Sequence, residues 1–142
     1  MKSSWAYILA PALGYLLAHT IKYVISLLKR ERSWRLWFRT GNMPSSHTAV
    51  VTALAGTILL HEGFSDLFAV AGTFAVITIY DAMVARRSIG EQGLALVKLL
   101  EKSRVTGEVL PRVALGHKPL EVVVGFLLGL VIAAVVAIFI TV

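Results

Sequence analysis

The chain has 142 residues, room for a single domain over residues 1–142, and 57% of them are apolar at a mean hydropathy of +0.77. That balance excludes an ordinary soluble domain and points to the bilayer. The absence of cysteine excludes disulfides and thiolate chemistry, and the net charge of +6 sits in polar segments between apolar runs rather than on a basic face with interleaved aromatics, which argues against nucleic-acid binding.

The first apolar run, Trp5 to Leu28, is long enough to cross a hydrocarbon core at ~20 residues per span. It is too long for a cleavable signal peptide, and no small-residue cleavage site closes it. Lys29 to Asn42, KRERSWRLWFRTGN, alternates charges with Trp34, Leu36, Trp37 and Phe38, as a segment at the membrane interface does. A second run, Ser46 to Leu60, only just spans the core at ~1.5 Å per residue. The turn HEGFSD, His61 to Asp66, leads to a third run, Leu67 to Ala85, with Asp81 near its end. A polar stretch follows, Arg86 to Lys118, containing an amphipathic helix GEQGLALVKLLEKS, and Leu120 to Val142 is the fourth run. The expected fold class is therefore all-α, an integral membrane bundle of about four transmembrane helices plus interfacial or amphipathic helices.

Four crossings bring the end of the first helix, the start of the second, the end of the third and the start of the fourth to one face. Lys22, Lys29, Arg30, Ser46, His47, Asp81, Arg86, Arg87, Arg112, His117 and Glu121 fall there. The positive-inside tendency makes this face cytoplasmic, although arginines kept for an anionic substrate would give the same signal.

Ionisable groups inside apolar spans are functional candidates. Lys22 reads either as a snorkelling lysine or, with His19 one turn earlier and Lys29 two turns later, as part of a polar stripe. In MPSSHTA, Pro44 precedes a helix and Ser45 is a candidate N-cap. The free N–H groups of the first turn then suit a phosphate, and His47 stands beside them to protonate a leaving oxygen. In LGHKPLE, a helix beginning near His117 would stack Glu121 on the imidazole and orient it for attack, the bland alternative being an interfacial ion pair. Arg86 and Arg87 look like a clamp for phosphate oxygens, or like structural partners of Asp81. A divalent metal held by His47, Asp81, Glu91, His117 and Glu121 is the main chemical competitor, disfavoured by the surrounding positive charge.

With these blocks assembled, the chain resembles the type 2 phosphatidic acid phosphatase superfamily, and more closely its small divergent branch. The superfamily blocks are K-x6-R-P, P-S-G-H and S-R-x5-H-x3-D. Here PSSH, Pro44 to His47, has Ser46 in place of glycine, and HKPLE has Glu121 in place of aspartate. Lys22 and Lys29 keep the first block's spacing without its arginine and proline, and Pro111 stands where the third-block arginine is expected, with Arg112 one place out of register. GNMPSSHTA, YDAMVARRSIGEQ and LGHKPLEVVVG match the divergent branch.

The resemblance implies a lipid phosphate phosphatase without metal or cofactor. His117 would form a phosphohistidine, Glu121 would orient it and His47 would protonate the departing alcohol, with Asp81 nearby. Lys22, Lys29, Ser45, Ser46 and Arg86 or Arg87 would hold the phosphate. A cytoplasmic site favours phosphatidylglycerophosphate over a polyprenyl pyrophosphate, and a prokaryotic cytoplasmic membrane is the expected location. The altered blocks leave open a non-enzymatic lipid-phosphate binder or scaffold. The thin wall that four spans make around a polar site predicts a homo-oligomer.

Overall fold

The computed structural model describes residues 4–29, 43–103, 113 and 116–140. The interfacial segment from Arg30 to Asn42 and the arginine at 112 lie outside the described residues. The elements run α1 (Trp5–Leu28), α2 (Ser46–Glu62), α3 (Asp66–Tyr80), a π-helical turn (Asp81–Ala85), α4 (Arg86–Lys102) and α5 (Pro119–Ile140), and no strand occurs among the described residues. Three helical stretches are long and apolar enough to cross a membrane: Trp5–Leu28, Asp66–Lys102 and Pro119–Phe139. With 17 residues α2 is shorter, about 26 Å at ~1.5 Å per residue against a core of ~30 Å.

Several boundaries differ from the sequence expectation, each for a local reason. The second helix runs on to Glu62, taking in His61, because its stop is Gly63, whose φ of 68° suits glycine and whose N–H donates to Leu59 O at 2.9 Å. Ser65 then caps α3 by accepting from Phe68 N at 3.2 Å. The largest difference is at Arg86, where the third helix was expected to have ended. The chain instead stays helical for 37 residues, Asp66–Lys102, roughly 55 Å at ~1.5 Å per residue. Between Tyr80 and Ile89 there is no proline or glycine to stop a helix, so the arginine pair marks a change of surroundings rather than a break in the backbone. Finally α5 opens at Pro119 in its first helical position, which leaves His117 in the preceding loop.

The central element is α2, packed against α5, α1 and α3. Its contact faces are small: Ala6, Ala10 and Ala53 meet Ile132 and Val136 on one side, and Val51, Ala55 and Ile58 meet Ala71 and Ala75 on the other. Most of the large apolar side chains, among them Leu16, Val70, Phe74, Ile77 and Phe139, are exposed instead. In water this would be a liability; in lipid, where apolar tails supply no drive for helices to associate, close backbone approach through small residues is what holds a bundle. The α2–α5 contact is the extreme case. A Cβ on Gly125 would stand 2.5 Å from Ser45 O, so α5 touches the very start of α2 backbone to backbone.

Candidate active site

The start of α2 organises the site. Ser45 is its N-cap, fully buried, and its Oγ accepts from Thr48 N at 3.4 Å and from Thr48 Oγ1 at 3.0 Å. Ser45 N in turn donates to Glu121 O at 2.9 Å, which ties the first turns of α2 and α5 together. The first helical hydrogen bond is Ala49 N to Ser45 O, at 3.0 Å. The amides of Ser46 and His47 precede it and have no acceptor within the helix, so the positive end of α2 is offered outward. Ser45 Oγ is therefore engaged as the cap of α2. Ser45→Ala is expected to lower stability by about 1 kcal/mol, read as a reduced melting temperature of the detergent-solubilised protein.

Ser46, the second serine, faces the other way. Lys22 Nζ donates to its Oγ at 3.3 Å, and both residues are buried, at 5% and 6% exposure. Among the described residues no carboxylate lies within ion-pair distance of Lys22, and the counter-charge that it feels is Glu121 at longer range, so a buried ammonium sits inside the bundle without a direct ion pair. Ser26, one turn further along α1, is also buried, whereas Lys29 lies exposed at the helix end and is not brought into this cluster. His19 is buried one turn before Lys22, its ring 4.3 Å from that of Tyr15.

His117 enters from the loop before α5. Its N–H donates to Ala82 O at 3.1 Å, and its ring stands edge-on to that of His47 with centroids 6.1 Å apart. It is 5% exposed, and neither ring nitrogen has a hydrogen-bond partner among the described residues; the same holds for His47 Nδ1. The expected Glu121–His117 contact is not formed. Because Pro119 begins the helix, Glu121 is its third residue, and the carboxylate reaches back to accept from Lys118 N at 3.2 Å, as in a capping box.

Burial first, and then the positive charges of Lys22, His47 and Arg86, push the His117 imidazole from 6.5 down to about 4. A depressed histidine pKa means that protonation opposes the folded site: the stability held by the neutral ring is complete above 6.5 and is lost as pH falls towards 4. The acid limb of kcat/KM due to His117 is accordingly expected near pH 4 rather than 6.5, and the ring's NMR titration in the free protein checks it directly.

The two arginines are not equivalent. Arg86 Nε pairs with Asp81 Oδ2 at 2.9 Å, and its charge is felt by His117. Arg87 Nε pairs with Glu91 Oε1 at 3.1 Å, both more than 60% exposed, so Arg87 is held along the exposed surface of its own helix. Asp81 is thus the direct partner of Arg86, and its charge reaches His47 only at longer range. Of the metal-ligand candidates, Asp81, Glu91 and Glu121 are each engaged with another group, and no group of three or more acidic or histidine side chains converges among the described residues. Nothing in the sequence pattern marks the π-helical turn or the Ala82 anchor, whereas a capping-box register counted from Pro119 is the signal for Glu121.

A membrane protein, helical throughout its described residues, with long apolar helices and a buried cluster of Lys22, Ser46 and His117 at a helix N-terminus is the class that fold and geometry define. The chain belongs to the Divergent PAP2 family, whose family model matches residues 4–132. It is 38% identical over 148 residues to the uncharacterized membrane protein YuiD of Bacillus subtilis (strain 168), an alignment covering 93% of this chain and 94% of that protein. No solved structure matches it.

Proposed function

We propose that this membrane protein is a lipid phosphate phosphatase that works through a phosphohistidine, with phosphatidylglycerophosphate as the preferred substrate. The observation that supports this best is the buried Lys22–Ser46 pair at the open end of α2, beside His117, both of whose ring nitrogens, and His47, whose Nδ1, have no hydrogen-bond partner among the described residues. Such a pocket is short of one anion. A phosphate monoester supplies it, accepting from Lys22 Nζ, Ser46 Oγ and the Ser46 and His47 amides, with Arg86 at the rim.

One ring nitrogen of neutral His117 attacks phosphorus as the ester P–O bond breaks, and protonated His47 gives its proton to the leaving alcohol. Water then attacks the phosphohistidine, returning a proton to His47 and releasing inorganic phosphate from His117. The fixed donors stabilise the five-coordinate phosphorus, usually a large part of such catalysis. Glu121 acts at one remove: its carboxylate caps Lys118 and its carbonyl holds Ser45, so it fixes the two first turns against each other. In this reading α2 is a fourth crossing shielded by its neighbours, the site faces the cytoplasm, and a second copy thickens the wall around it.

That no carboxylate among the described residues bonds to His117 favours a second reading, a lipid-phosphate binder without turnover. Purified protein in nanodiscs with chelator, offered phosphatidylglycerophosphate, phosphatidic acid and a polyprenyl pyrophosphate, separates the two. Phosphate release from a lipid monoester is the expected result. Binding without release from any of them overturns the enzyme in favour of the binder, release only on adding metal overturns the metal-free route, and preference for the pyrophosphate overturns the substrate.

A further inference from the structure

The π-helical turn at Asp81–Ala85 interrupts an otherwise continuous helix beside His117, and its hydrogen bonds say what it does. In an α-helix the Arg86 N–H would donate four residues back, to Ala82 O. Here it donates to Asp81 O, five back. Ala82 O is thereby released from its helical partner, and it receives the His117 N–H at 3.1 Å. The same widening pairs Asp81 with Arg86, five residues apart, whereas helical neighbours are three and four apart. A single shift of hydrogen bonding thus frees the carbonyl that holds His117 and orients the arginine whose charge reaches it.

The loop can reach that carbonyl only because of Gly116. A Cβ there would lie 2.6 Å from Arg87 N and 3.0 Å from Arg86 C, backbone atoms of the helix that cannot swing aside. His117 follows immediately, so its position is set by backbone contact on one side and by the Ala82 bond on the other.

We infer that the π-helical turn and Gly116 together form the seat of His117, Gly116 being a positioning residue that keeps the imidazole against His47 and the start of α2. This rests on His117 as the reacting group of the proposed phosphatase, but the seat itself can be read without turnover. Hydrogen exchange of the full-length protein in nanodiscs is expected to show a protected His117 amide. In Gly116→Ala that protection is lost while the α2 and α5 amides stay protected, and the His117 ring titrates closer to 6.5 than to about 4 as burial is relaxed. In the lipid assay the same variant loses about 100-fold in kcat with KM changed little, the pattern of a displaced reacting group.

Deleting Val84, which removes the extra residue of the turn, is expected to abolish the His117 amide protection as well. A His117 amide that exchanges freely in the unaltered protein overturns the seat, as does a Gly116→Ala protein with unchanged protection, titration and kcat. Inactivity of the unaltered protein on every lipid, with the amide protected, counts against the phosphatase and leaves the seat standing.

Discussion

Replacing His117 by alanine is expected to lower phosphate release by about 10⁴-fold or more while leaving the protein folded, with a melting temperature unchanged or raised. The two halves of that result have one cause. A buried imidazole with no hydrogen bond on either nitrogen among the described residues, pushed down to about 4 by burial and three positive neighbours, contributes nothing to the bundle that an apolar side chain would not contribute better. A group held at such a disadvantage belongs to the stability–activity compromise of active sites. Had His117 been a core residue, its removal would leave a cavity and lower the melting temperature with modest effect on rate. Leucine at 117 sharpens the contrast, because it fills the space and abolishes the nucleophile together. Residual turnover within tenfold of the unaltered protein would remove His117 from the chemistry.

Lys22→Met should have the second largest effect. Methionine is unbranched and apolar and follows much of the path of the buried lysine side chain, so the change removes a charge and its donor with little loss of volume. Loss of a preorganised cation at the developing phosphorane is expected to lower kcat/KM by about 10²- to 10³-fold. It also removes the largest of the charges that depress His117, so the acid limb of the pH profile should move up from about 4. Thermal stability should rise, since a buried ammonium that no carboxylate among the described residues pairs with directly is destabilising. A snorkelling lysine would behave otherwise: its replacement would alter insertion or expression and leave both turnover and the His117 titration alone.

How much of this was legible in the sequence depends on the kind of signal. Long apolar runs report their own length, and α1 and α5 fall where hydropathy puts them. Ser45 as N-cap followed from residue type and Pro44. The split of labour within Ser45–Ser46 did not, because the two serines differ only in which side of the first turn they face. Glu121 was misread by counting four residues from His117 when the fixed point was Pro119; the first helical proline sets the register, and the third position is where a carboxylate turns back on the cap. Continuity through Arg86 was hidden because charge was taken as a terminator, and charge breaks no backbone hydrogen bond. The π-helical turn has no compositional signature at all: DAMVA is ordinary helical sequence, and the shift becomes visible only through the carbonyl it liberates for His117.

The inverted placement of side-chain size changes what counts as a conservative replacement in this chain. On the outside, exchanges among Leu, Ile, Val and Phe at positions such as Leu16, Val70 and Phe139 alter only which hydrocarbon meets lipid, and drift there is nearly neutral. Inside, the unit of tolerance is a single methyl group. Gly125 and Gly129 touch the main chain of α2, and Ala49 and Ala53 are fully enclosed, so even alanine for glycine or valine for alanine pries apart the helices that hold the two histidines together. The smallest residues of this protein are therefore its least replaceable, and the constraint on its chemistry is written in glycine and alanine as firmly as in histidine and lysine.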